Sequence, residues 1–445
     1  MNRKLIRSTI AALALMAGQN APAAENLNLP VRAHTLTNGL KMLIHEDHAI
    51  PNVALYLFYK VGSRNEVPGT TGISHYFEHM MFNGAKKYGP GQFDRVMEDA
   101  GGANNAYTSK DVTVYQDWFP SPALELILDL EADRIRDLNF DPQMIESERG
   151  VVASERRLRV DNDNFGTLSE VFDATAYLAH PYQWPVIGWM SDIESWTIQD
   201  LKDHFSMGYA PNNAVLVVAG DVRAERFIKL AQQYLGTIPP RDPPPPVRTK
   251  EPPQQGERRV RVEKFAQSPL LEIGWHVPET AHTDYYPLSV LQMILLHGQS
   301  SRLYRRVVDR DELAFAIDGA PELSFDPGLF RIIAQPRDGV DPEKVEAAIY
   351  EELGRLREEL VEEREMQKAR NALLAEFYRQ LQTISDKANS LGTFEIYFGD
   401  YRKLLEAPGL FEKVTREDVQ RVARAYFTEQ NRTVATLIPK TEETE

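Results

Sequence analysis

Gly72-Ile73-Ser74-His75-Tyr76-Phe77-Glu78-His79-Met80-Met81-Phe82-Asn83-Gly84 decides how this chain is read. On an α-helix His75 and His79 are one turn apart and share a face, so both imidazoles can reach one metal ion. Glu78 lies beside them on nearly the same face. In the order H-x-x-E-H, two histidines suit zinc and the glutamate suits the activation of water. The order H-E-x-x-H is a different motif from an unrelated architecture.

A catalytic zinc takes three protein ligands and keeps one position open. The chain has no Cys, and no third His lies near the motif, so a carboxylate from a distant segment must serve. Met144–Arg157 reads as a helix, with Ile145, Val151, Val152 and Leu158 as its buried stripe. Glu148 and Glu155 are two turns apart on it and face the same way. One can ligate zinc while the other orients a histidine or the ligand. Helix geometry alone does not say which.

The run from Gly72 to Tyr88 resembles the signature of the pitrilysin/insulinase family of zinc peptidases. It is most similar to the branch containing the mitochondrial processing peptidase β subunit and short bacterial homologues. In that family the third ligand is a Glu about 76 residues after the second His, which falls on Glu155. The resemblance implies His75, His79 and Glu155 as ligands of one zinc ion per chain. It implies Glu78 as general base and Glu148 as the carboxylate that orients the ligands. Gly101-Gly102-Ala103-Asn104-Asn105-Ala106-Tyr107-Thr108-Ser109 resembles the family's edge strand, in which Asn105, Ala106 and Tyr107 would pair with the backbone of an extended substrate. The implied fold is α+β, with two homologous sheet-plus-helices domains facing each other around a chamber.

One stretch departs from the family pattern. Members that act alone carry an Arg and, seven residues on, a Tyr that hold substrate near the zinc. In Ser301–Ala316 those places fall on Val308 and Phe315, while Arg302 and Arg310 stand out of register. The departure implies the zinc-bearing subunit of a heterodimer, with a homologous zinc-free partner supplying Arg and Tyr. A homodimer, or a single chain in which Arg310 or Tyr304 does that work, is the other arrangement.

Composition sets the frame. The chain has 445 residues, 42% hydrophobic and 26% charged, enough for two or three globular domains. Its net charge of −15 argues against nucleic acid or an anionic membrane as partner. Arg3, Lys4 and Arg7 precede the apolar run Ile10–Ala17, and Ala21-Pro22-Ala23 offers a small-residue cleavage site. This pattern predicts a signal peptide over residues 1–24 and a soluble periplasmic product. Its removal takes the charge to −15 − 3 = −18. The absence of Cys excludes disulfides and thiolate-ligated zinc.

Eight prolines between Pro239 and Pro253 predict an extended linker over residues 238–256. It separates a zinc-binding domain, residues 27–237, from a second domain, residues 257–440. The two look like weak repeats. Thr197-Ile198-Gln199-Asp200 and Thr415-Arg416-Glu417-Asp418 each predict a capped helix followed by a β-branched strand. Setting Gly298 against Gly84 puts Ser289, Gln292 and Met293 where His75, Glu78 and His79 stand, so the second half lacks this zinc site. One long helix is expected over Glu362–Leu391. The function these features predict is a zinc-dependent endopeptidase acting on extended or unfolded peptides. A non-catalytic peptide-binding or assembly subunit is the competing reading, but family members of that kind generally lose the motif, and this chain keeps all four central residues; zinc storage, a third reading, would not need Glu78.

Overall fold

The computed structural model describes residues 28–440, and the expected signal peptide, residues 1–24, lies outside them. The first half carries strands β1 (Arg32–Thr35), β2 (Lys41–Glu46), β3 (Asn52–Tyr59), β4 (Ala103–Thr108), β5 (Thr113–Pro120) and β6 (Ala214–Gly220). Its helices are α1 (Ile73–Met80), α2 (Gln92–Asp99), α3 (Leu124–Asp137), α4 (Pro142–Arg156), α5 (Asn164–Ala176), α6 (Met190–Ile193), α7 (Ile198–Gly208) and α8 (Ala224–Tyr234). The second half carries β7 (Arg258–Lys264), β8 (Leu270–Val277), β9 (Ala314–Pro321), β10 (Gly328–Pro336) and β11 (Arg432–Pro439). Its helices are α9 (Tyr285–Leu295), α10 (Pro342–Glu358), α11 (Glu363–Arg379), α12 (Ile384–Tyr397), α13 (Lys403–Lys413) and α14 (Arg416–Tyr426).

The strands form two mixed sheets, ordered β1-β2-β6-β3-β5-β4 and β7-β11-β8-β10-β9. Five strands repeat in order and direction. β2 lies parallel to β6 as β7 does to β11, and every other shared pairing is antiparallel. The chain is therefore α+β, with one sheet and its helices in each half. Both predicted Thr-x-x-Asp caps form, at Thr197 and Thr415. Residues 239–257 form neither helix nor strand. They are pinned to the first half where Glu251 accepts from the Leu178, Ala179 and His180 N–H groups.

The central strands are apolar on both faces, and both faces must be covered. On one face of the first sheet, Leu55, Leu57, Leu216 and Val218 meet the helices of their own half. On the other face, Ala54, Tyr56, Phe58, Val215 and Val217 meet Ala388, Leu391 and Ile396 of α12, from the second half. The exchange is reciprocal: Leu168, Phe172 and Ala176 of α5 cover Leu329, Ala435 and Leu437 of the second sheet. Two glycines make the contacts close. A Cβ on Gly392 of α12 would lie 2.0 Å from the Phe58 ring, and one on Gly274 of β8 would lie 2.6 Å from the Phe172 ring. Buried ion pairs tie the same seam. Arg331 meets Asp173 from the other half, together with Glu272 at 2.8 Å and Glu322 at 2.7 Å.

Three expectations change here. The halves of one chain do not face each other across a chamber, because each sheet's second face is closed by a helix from the other half. The long helix expected over Glu362–Leu391 is broken. Thr383 accepts from the Asp386 N–H and starts α12 afresh, which sends it across to the first sheet. On α4, Ile145 and Val152 are buried as expected, but Val151 is 48% exposed and Leu158 70%. Val151 lies a fraction of a turn off the stripe, and Leu158 sits in a π-helical turn, Arg157–Asp161, that shifts the register. Interlocked halves should unfold together. Phe172→Ala should cost about 3–5 kcal/mol and lower a single unfolding transition; two separate transitions in denaturant would contradict this.

Candidate metal centre and active site

The zinc-motif helix begins at Gly72, whose left-handed backbone (φ 84°) suits glycine and whose Cβ, if present, would lie 2.2 Å from the Ile187 carbonyl oxygen. Glycine offers no side-chain cap, so the orphan N–H groups of the first turn need another partner. Glu66 supplies it. Its two oxygens accept from the Gly72 and Ser74 N–H groups, each at 2.8 Å. Burial pushes this carboxyl up to about 8 while those N–H groups hold it down. Further along, Tyr115 donates to the Phe77 carbonyl at 3.0 Å and Tyr76 to the Ile145 carbonyl of α4 at 2.9 Å. Ser74 lies 3.1 Å from His204 Nε2, a ring stacked on Phe77 and pushed down to about 3 by burial, hence neutral.

These contacts set α1 against α4 with the motif facing the second helix. His75 Nε2 and His79 Nε2 each lie 3.3 Å from Glu155 Oε2. The remaining nitrogens are also held: His75 Nδ1 donates to Glu78 Oε2 at 3.2 Å and His79 Nδ1 to Glu148 Oε1 at 2.8 Å. Asn83 donates to the other Glu148 oxygen at 2.6 Å. Glu155 Oε1 meets Arg159 Nε at 3.0 Å. Of the two carboxylates that helix geometry left open, Glu155 therefore lies among the imidazole donors and Glu148 behind one of them.

A carboxylate only accepts, so each ring faces acceptors at both nitrogens and favours the doubly protonated form. Burial opposes this at His79, but Glu148 and Glu155 push it up to about 9. His75 is raised too, against burial, by Glu155 and Glu78. The two imidazoles in turn hold Glu155 well below the usual carboxylate range. Burial pushes Glu78 up, yet His75 and Thr108 keep it below its ordinary value. Two protonated rings converging on one oxygen are positions a divalent cation can take over. His75, His79 and Glu155 each offer a ligand atom within 4.8 Å of the others, the one such group among the described residues. Two imidazoles and one carboxylate make a donor set suited to catalytic zinc, and the bonds at both Nδ1 atoms leave Nε2 for the metal.

Among the described residues β4, the expected substrate strand, is the end strand of its sheet and pairs only with β5. Its register is set by the Ser109 N–H donating to the Val112 carbonyl at 2.8 Å. Antiparallel alternation then turns the N–H and C=O of Asn105 and Tyr107 toward β5, and those of Asn104, Ala106 and Thr108 to the free edge. Of the three expected residues, Ala106 alone presents its backbone outward. Thr108 also donates from Oγ1 to Glu78 Oε2 at 2.7 Å. Sequence reasoning gave no role to Thr108, Asn83 or Glu66. Asn83 stands four residues after His79, a signal that was available, whereas Glu66 acts through a turn whose course no local pattern reveals.

In the second half, Val308 packs partly buried against that half's core. Phe315 is 51% exposed on the end strand β9, with the Arg337 guanidinium 5.5 Å from its ring centre. Arg302 is committed to Glu365 through two bonds of 2.9 and 2.6 Å. Arg310 meets Asp311 at 2.8 Å and is largely exposed.

His75→Ala, His79→Ala and Glu155→Ala should each abolish zinc binding, while Glu148→Ala should weaken it about 10–100-fold. Loss of zinc in Glu148→Ala with retention in Glu155→Ala, measured by metal analysis, would reverse the assignment. Metal and proton compete for the same nitrogens. Zinc uptake should release protons, and affinity should rise with pH until His79 loses its proton near about 9. Titration in weak buffer measures both.

The profile described as "Insulinase (Peptidase family M16)" matches residues 41–188, and that described as "Peptidase M16 inactive domain" matches residues 195–373. The zinc protease PqqE of Helicobacter pylori is 33% identical over 409 residues, covering 91% of this chain and 92% of that protein. A crystal structure of a protease from Helicobacter pylori superimposes with a TM-score of 0.89 at 32% identity, covering 93% of this chain and all of that one. The periplasmic protease PqqL of Escherichia coli shares the fold, with a TM-score of 0.76 at 17% identity over 94% of this chain and 48% of that one. Among the described residues no helix is long and apolar enough to cross a membrane. The family matches, the full-length relative and the clustered donor set agree: the chain belongs to the insulinase family of zinc proteases, peptidase family M16.

Proposed function

We propose that the chain is an endopeptidase that hydrolyses extended peptides, with one zinc ion held by His75, His79 and Glu155 and with Glu78 as its base. The observation that carries this reading is the convergence of both Nε2 atoms on Glu155 Oε2 at 3.3 Å, with Glu78 beside them. Zinc, when bound, supplies Lewis acidity for water and for the scissile carbonyl. Glu78 takes the proton as water attacks and returns it to the leaving amine. Its depressed pKa keeps it ionised, ready to accept, at neutral pH. Glu148 and Asn83 hold His79 in one tautomer and one orientation. The free edge of β4 takes the substrate as an added strand, through the outward groups of Asn104, Ala106 and Thr108. A strand-adding site excludes folded globules, whose backbone groups are already paired.

The chamber expected around such a site would need a second chain, because the faces between the halves of one chain are filled. That chain is a homologous, zinc-free subunit supplying Arg and Tyr. Support comes from Val308, which is partly buried and uncharged, and from Phe315, which has no hydroxyl. The expected signal peptide would place the pair in the periplasm. Arg310, exposed and paired only with its neighbour Asp311, marks the competing arrangement in which the chain serves itself.

Glu78→Gln should keep zinc and lose nearly all turnover of a flexible peptide; ordinary turnover would refute the assigned base. The isolated chain at full zinc occupancy should cleave about 10- to 100-fold more slowly than the paired one, the expected cost of an unmatched polar partner. Equal rates with and without the partner, together with lost activity in Arg310→Ala, would establish the self-sufficient form.

A further inference from the structure

We propose that Thr108 positions the general base and couples substrate binding to it. The inference rests on Glu78 being that base. Glu78 Oε2 is anchored twice, by Thr108 Oγ1 at 2.7 Å and by His75 Nδ1 at 3.2 Å. Glu78 Oε1 has no protein partner among the described residues. One oxygen is thus fixed and the other is left to meet water. A carboxylate with neither oxygen tied would turn about its terminal torsion, which has broad and shallow minima.

Position in the fold gives Thr108 its second role. It is the last residue of β4, and Asn104, Ala106 and Thr108 share the strand face turned toward α1. Asn104 donates to Asp94 and Ala106 packs against the first core, so this face is already fixed from its start. The backbone groups of Thr108 point to the free edge. One residue therefore offers its main chain to an added strand and its hydroxyl to the base. A substrate that pairs along β4 as far as Thr108 holds that hydroxyl still, and Glu78 with it. Binding energy gained away from the scissile bond is then expressed in kcat rather than in KM.

The test compares Thr108→Val, which keeps shape and removes the hydroxyl, with Thr108→Ser, which keeps the hydroxyl. Each variant is assayed as the full chain, with its partner where one is required, on peptides of increasing length. In the wild-type protein, lengthening the peptide along β4 should raise kcat. Thr108→Val should lower kcat about 10- to 100-fold with KM and zinc content unchanged, and should abolish the gain with length. Thr108→Ser should restore both. Wild-type kcat in Thr108→Val would overturn the proposal. So would equal losses in both variants, which would mark a packing role, or loss of zinc in Thr108→Val, which would mark a role in building the metal centre. If Glu78→Gln is active, the assignment of the base itself fails. If Glu78→Gln is dead and Thr108→Val is not, only the role of Thr108 fails.

Discussion

Two imidazoles on one helix meet one carboxylate on another, and the rest of the first half exists to hold that meeting in place. The contact is ionic, two raised histidines against a depressed Glu155. Such a cluster, partly out of water, is stable only if every remaining lone pair and proton has a partner. Glu78 and Glu148 take the two Nδ1 protons and Arg159 the second oxygen of Glu155, while Asn83 holds Glu148. Beneath them, Glu66 caps the helix start and neutral His204 packs under Ser74 and Phe77 without adding charge. The same bonds aim both Nε2 atoms at one point.

Rigidity on this scale needs a frame, and the frame is the reciprocal exchange of α5 and α12. Each sheet is closed on its second face by a helix belonging to the other half. The contact is tight because Gly392 and Gly274 let an aromatic ring lie against backbone. A Cβ at either place would force a shift in a packed interior, at a typical cost of about 1–3 kcal/mol. The exchange also turns the space between the sheets into core. The free edge of β4 lies outside that core.

Much of this was legible in the sequence, and the failures have physical causes. The motif helix could be placed because its chemistry and its periodicity coincide on one face. The β-branched run of β6 was legible as a strand, but not what covers its second face, since α12 comes from more than 160 residues further along the chain. The break after α11 was missed because Ile384 and Leu391 continue the helical period across Thr383, and a cap reads weakly inside a periodic run. On α4 a single π-helical turn was enough to move Leu158 from the expected core to solvent. On β4 the alternation turns the backbone groups of Asn104, Ala106 and Thr108 to the free edge, so of the expected Asn105, Ala106 and Tyr107 only Ala106 presents its own outward. A strand exchanges its faces and edges with each step, and here the register is set by one bond, from Ser109 to Val112. Glu66 and Thr108 act across turns and strands, where spacing along the chain carries no signal.

X-ray absorption of the zinc-loaded Glu78→Gln protein tests the central claim most directly, because the metal's ligands are read without turnover intervening. Two imidazole nitrogens at about 2.0–2.1 Å and one carboxylate oxygen at about 2.0–2.2 Å are expected, with solvent completing the shell. Glu148→Ala, which weakens zinc binding without abolishing it, should leave that carboxylate oxygen in place. A shell with two carboxylates, one that loses its carboxylate in Glu148→Ala, or full zinc binding by Glu155→Ala would contradict the claim.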